Sequence, residues 1–81
     1  MKRITQKRDK EIPALAVRFG QRVREFREAK GWIQTDLAFH SRLERAFISR
    51  VENGKTQAGL ASVERLAAAL GVSVGELFRG L

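Results

Sequence analysis

The 81-residue chain has no cysteine and only one proline, one histidine and one tryptophan. Without cysteine there is no disulfide framework and no thiolate metal site. His40 stands alone and reads as a surface or phosphate-side residue rather than a metal ligand or a catalytic residue. No apolar run approaches the ~20 residues of a membrane span, and the charged N-terminus lacks the apolar stretch of a secretion signal. A cytoplasmic location with no membrane partner is expected. The chain also shows no Ser/His/Asp set, no paired carboxylates in an apolar setting and no glycine-rich phosphate loop, so an enzyme has little support. No cofactor, metal or small-molecule ligand is expected. No stretch alternates with period two, which argues against any strand.

What is present is positive charge. Sixteen Lys and Arg stand against nine Asp and Glu, a net of +7. The excess is uneven: residues 1–31 hold ten basic and four acidic residues, and residues 32–81 hold six and five. A positive field on so small a chain suits a polyanion, nucleic acid before an acidic membrane. It also simply keeps a small protein soluble.

The organisation is a single domain with a leading arm. Residues 1–13 read as a flexible basic arm, and residues 14–81 as one helical domain. Pro13 suits the first turn of a helix. Leu15, Phe19, Val23 and Phe26 then form one apolar stripe, and Gly31 stops the first helix. A second short helix is expected over about Gln34–His40, with "SRL" (41–43) as the turn. A third runs from about Glu44 to Glu52, with Phe47, Ile48 and Val51 apolar and Asn53-Gly54 as its stop. Leu60, Val63, Leu66, Ala67 and Leu70 give a fourth helix. Ser73 and Glu76 have the form of a capping box that opens a fifth, to about Arg79. The predicted fold class is all-α, five helices around one core.

Two short helices joined by a tight turn make a helix-turn-helix, here about residues 34–52. The second helix of such a pair can lie in the DNA major groove. The third helix fits that use. Ile48 and Val51 anchor it, while Glu44, Arg45, Ala46, Ser49 and Arg50 form an outward polar face.

The strings "GQRVREFREAKGW-Q-DLA", "ISRVENGK" and "LASVERLAAALGVSVGELF" together resemble the lambda-repressor/Cro-like helix-turn-helix family, often called the XRE family, over about residues 18–79. Within it, a single small domain with its own C-terminal helix is similar to restriction-modification controller proteins. The resemblance implies a lambda-repressor-like DNA-binding domain that regulates transcription on double-stranded DNA. It implies base-reading positions at Glu44, Arg45, Ala46, Ser49 and Arg50, with Arg45 and Arg50 suited to guanine. Gln34 matches a residue that binds phosphate and braces the recognition helix, and Asn53 and Lys55 match phosphate contacts. Arg27 and Glu52 match a structural ion pair between the first helix and the end of the third. This chain departs from the family pattern at three places. Ile33 cannot cap the second helix. Arg42 replaces the turn glycine, which strains it if φ is positive and places a cation near phosphate. Glu44 stands where Ser or Thr is usual.

Several readings stay open. Phe47 packs, or contacts sugar and thymine methyl groups. Trp32 and Phe39 read as core or core-edge residues. Arg18, Arg22 and Arg24 form a solvated face or flank the DNA. The arm tracks DNA or has no such role. Val74, Leu77, Phe78 and Leu81 are more apolar residues than a short last helix needs. Some must close the core and the rest are expected to form a homodimer interface. The competing function is an antitoxin-like or adaptor module that uses the same fold to hold a protein partner.

Overall fold

A computed structural model describes residues 12–81, and among them it holds five helices and no strand. These are α1 (Ala14–Ala29), α2 (Gln34–Ser41), α3 (Arg45–Glu52), α4 (Leu60–Leu70) and α5 (Val74–Phe78). The expected all-α, five-helix architecture is present. Of the expected basic arm, all but Ile12 and Pro13 lies outside the described residues.

Local chemistry accounts for the boundaries. Pro13 precedes α1 in extended conformation, and its carbonyl accepts the N–H groups of Ala16 and Val17. Ile33, before α2, offers no side-chain acceptor. The Asp36 carboxylate instead takes the Ile33 N–H at 2.9 Å, which is one half of a capping box. The complete box opens α5: the Glu76 N–H donates to Ser73 Oγ at 3.0 Å, and the Ser73 N–H donates to Glu76 Oε1 at 2.8 Å. At the end of α3, Gly54 takes φ 68°, a left-handed conformation that costs a glycine little. The chain thereby turns back so that the Lys55 N–H reaches the Arg50 carbonyl at 2.9 Å.

The Ser73 N–H holds the Glu76 carboxyl below the ordinary glutamate range. A depressed carboxylate favours the fold while ionised, and that contribution fades as pH falls through its folded value. Glu76→Gln is therefore expected to lower the melting temperature at pH 7. The gap to the parent protein should close below pH ~4, as thermal melts over pH 3–7 would record.

One core joins all five helices: Phe19 and Val23 from α1, Leu37 from α2, Ile48 and Val51 from α3, Val63, Leu66, Ala67 and Leu70 from α4, and Leu77 from α5. Two residues of the expected apolar stripes lie outside it. Leu15 is 45% exposed and Leu60 is 86% exposed. Each sits in the first turn of its helix, beyond the reach of the opposing layer. Phe26 packs at the core margin. Leu77 is fully buried, which leaves it no surface for the interface role expected of it. Val74 is exposed, while Phe78 and Leu81 are half-buried against the core.

α1 and α3 meet closely at Gly20. A Cβ there would run into the Val51 carbonyl oxygen and stand 2.9 Å from its carbonyl carbon. Further along α1, Arg22 Nη2 donates to the Arg79 carbonyl at 2.9 Å, and Arg18 Nη2 donates to the Leu81 carbonyl at 2.6 Å. These two arginines hold the chain that follows α5. Arg24 instead pairs with Glu28 at 3.0 Å on the surface.

Between α1 and α2, the Trp32 ring stacks on His40 with centroids 4.5 Å apart, and Lys30 Nζ lies 4.8 Å from the indole. Trp32 is half-buried at the core margin. Phe39, expected in or near the core, is 77% exposed and meets His40 edge-on. It lies on the face of α2 opposite Leu37, the residue of that helix that reaches the core.

Candidate nucleic-acid interface

The candidate site is built from α2, its turn and α3. Arg42 ends α2 with φ 60° and ψ 35°. It is the one non-glycine residue with positive φ among the described residues. The strain expected of an arginine in the glycine position is therefore present, of order 1 kcal/mol. The reversal lets the Leu43 N–H bond back to the Ala38 carbonyl at 3.2 Å. Arg42 itself is exposed.

Glu44 is not the first helical residue. It precedes α3 in extended conformation, and its side chain caps nothing. Its carbonyl begins the helix by accepting the Ile48 N–H at 3.0 Å. From there α3 has an inner and an outer face, with Phe47 half-buried against the core margin between them. Ile48 and Val51 are 0% and 1% exposed. Glu44, Arg45, Ala46 and Arg50 are exposed, and Ser49 is half-buried. The three- and four-residue spacing that brings Ile48, Val51 and Glu52 inward leaves the others on the opposite side.

The inner end of α3 is pinned by charge. Glu52 accepts Arg27 Nε at 2.7 Å and Arg27 Nη2 at 2.9 Å, a two-pronged pair with both side chains buried. Hydrogen bonding to Glu52 raises the Arg27 pKa above its usual value. The remaining guanidinium nitrogen, Nη1, donates to the Trp32 carbonyl at 2.7 Å. One arginine on α1 thus fixes the end of α3 and the start of the segment that leads into α2.

Gln34 continues this chain of bonds. Its Nε2 donates to Glu52 Oε1 at 3.1 Å, and its Oε1 accepts Arg45 Nη1 at 3.4 Å. The Glu52 carboxylate can only accept, so the Gln34 amide must present nitrogen to it and oxygen outward. The resemblance implied a bracing role for Gln34, but not these two partners, Glu52 and Arg45. Farther along, Asn53 Nδ2 donates to Ser49 Oγ at 3.3 Å, joining a residue of the outer face to the residue after the helix. Asn53 and Lys55 are exposed.

Two features were missed in the sequence. Asp36 had a visible signal, an acid three residues after the helix-preceding Ile33. Gly20 had a weaker one: a glycine inside a helix costs about 1 kcal/mol against alanine and so usually has a packing reason. Among the described residues, no group of three His, Cys, Asp or Glu is placed to hold a metal ion, and no helix is long and apolar enough to cross a membrane.

A family profile described as "Helix-turn-helix domain" matches residues 18–79. The structure of the restriction-modification controller protein C.AhdI from Aeromonas hydrophila aligns with a TM-score of 0.78 and 45% identity, covering 82% of this chain and 100% of that one. Control protein C.MunI from a Mycoplasma species is 34% identical over 65 residues, 79% of this chain and 88% of that protein. A hypothetical transcription factor of Neisseria meningitidis is 42% identical over 55 residues, 68% of this chain. The match spans 52% of that Neisseria protein, about half its length.

Proposed function

We propose a function from the premise that this chain belongs to the helix-turn-helix domain family, as a DNA-binding regulator of the controller-protein type: it binds a palindromic operator as a homodimer, with α3 in the major groove, and so controls transcription in the cytoplasm. The observation that carries this reading is the split of α3 between a buried anchor, Ile48 and Val51, and an open polar face holding Arg45 and Arg50. In this reading Glu44, Arg45, Ala46, Ser49 and Arg50 face base edges. Arg42, Asn53 and Lys55 face the phosphates, as does Gln34 through the second N–H of its amide. Two copies would set their α3 helices about 34 Å apart, one turn of DNA.

Selection of bound sequences from random duplex DNA at stated salt tests the proposal. An enriched palindrome is expected, and no enrichment would refute it. With about four phosphates neutralised per copy, affinity should fall steeply as salt rises. Arg50→Ala is expected to relax base preference at one position, at about 1–3 kcal/mol, while Lys55→Ala weakens all sequences alike and flattens the salt dependence. Equal losses on operator and random DNA for both variants would remove these assignments.

The dimer surface is proposed on the α5 side, with Val74, Phe78 and Leu81. Beside Phe78 lies a groove of about 160 Å³ lined by Leu15, Phe19, Leu60 and Val63 among others, with no charged side chain in its lining. Copies that each carry +7 repel, so an uncharged patch is where two can touch. Leu60→Asp is expected to shift the protein to monomer in sedimentation at tens of micromolar. A parent protein that is only monomeric there, with and without operator DNA, would count against the dimer.

A further inference from the structure

The boundary between the two faces of α3 carries one residue whose chemistry the assignments above leave unused: Phe47 is half-buried, packed against the core margin on one side, and it borders a surface pocket with Arg50 on the other. The Arg50 guanidinium carbon lies 5.8 Å from the Phe47 ring centroid, within cation–π range. The two residues are three apart on one helix, and helical side chains lean toward the N-terminus, so Arg50 leans over Phe47.

Together they border a shallow pocket of about 290 Å³ between α3 and the first turn of α4. Leu43 and Phe47 are its apolar residues, and Arg42, Glu44, Arg50 and Ser62 complete the lining. Arg42 can meet a backbone phosphate at the rim, but the floor formed by Leu43 and Phe47 offers an anion nothing, and the Glu44 carboxylate beside it repels one. A small apolar group that arrives next to a hydrogen-bonding base edge suits it. In the major groove only thymine presents such a group, its 5-methyl. The methyl of a thymine stands beside the N7/O6 edge of the guanine that follows it on the same strand. That edge is what a guanidinium takes with two bonds.

We propose that Phe47 and Arg50 together read a thymine–guanine step, with Phe47 receiving the thymine methyl while Arg50 bonds the guanine. This rests on the proposed function, since it requires α3 in the groove. It adds a base whose identity is sensed by shape rather than by a hydrogen bond. A 5-methylcytosine carries the same methyl in the same place, so the pocket would also respond to cytosine methylation at that position.

The experiment begins from the duplex enriched by selection, which is expected to hold a TG step in each half-site. Its thymine is replaced by uracil, by cytosine and by 5-methylcytosine, and each duplex is titrated with the unaltered full chain. Loss of one buried methyl should weaken binding about fourfold per half-site for uracil, and 5-methylcytosine should bind about fourfold tighter than cytosine. Phe47→Ala should abolish both ratios while it keeps the preference for guanine. Because the ratios are first read on unaltered protein, they do not depend on how well that variant folds. Equal affinity for thymine and uracil duplexes overturns the proposal, as does a consensus without the TG step or an F47A variant that keeps the thymine preference. In those three cases the regulator reading stands; a selection that enriches nothing removes both.

Discussion

Gly20→Ala is expected to cost at least ~3 kcal/mol and to lower the melting temperature by at least ~12 °C. For a domain that spans residues 14–81 and holds roughly 3–10 kcal/mol in all, that approaches loss of the fold. A methyl group at this position meets only backbone: the Val51 carbonyl, then the Glu52 Cα at 3.3 Å. No side chain can swing aside to make room. α1 and α3 would have to separate, and the Val23, Ile48 and Val51 layer would open with them. The opposite result has a clear meaning. In an open helix the same change stabilises by about 1 kcal/mol, because alanine is the better helix former. A thermal melt that rises for this variant would show that the two helices do not approach as described.

Glu52→Ala is expected to cost ~3–5 kcal/mol and to weaken folding and DNA binding together. Removal of the carboxylate leaves the Arg27 guanidinium buried without its counter-charge and the Gln34 amide without its acceptor. The cost comes from that stranded charge more than from the lost attraction. Replacement of both partners by apolar residues of similar size, Arg27→Met with Glu52→Leu, should therefore recover a large part of the stability. DNA affinity should recover less, because Gln34 then has nothing to fix its amide and Arg45 is no longer held. Denaturant titration of the single and double variants separates the two effects. A single variant as stable as the parent would contradict the buried pair.

The fold was largely legible because each helix carries its own boundary signals. Ser73 and Glu76 form the capping box their spacing announced, and Gly54 reverses the chain after α3. The apolar spacing of α3 also told its inner face from its outer one. Arg27 and Glu52 came from family resemblance alone, since nothing local links residues 25 positions apart. Periodicity failed at the first turns, where it could not tell that Leu15 and Leu60 overhang the core. It equally could not tell that Arg18 and Arg22 are taken up by carbonyls of residues 76–81. Such partners belong to tertiary placement, and a charge pattern reads the same whether an arginine meets water, phosphate or its own backbone. The resemblance gave Gln34 a bracing role, but its two partners, Glu52 and Arg45, were hidden for the same reason.

The stack of Trp32 on His40 makes the protein its own optical probe. There is one indole in the chain, so its emission has a single origin, at the junction of α1 and α2. The Trp32 carbonyl takes the third hydrogen bond of Arg27, whose other two go to Glu52. Unfolding strips the imidazole from the indole and exposes it to water, so the colour of the emitted light reports the seam that both variants disturb, with no dye attached.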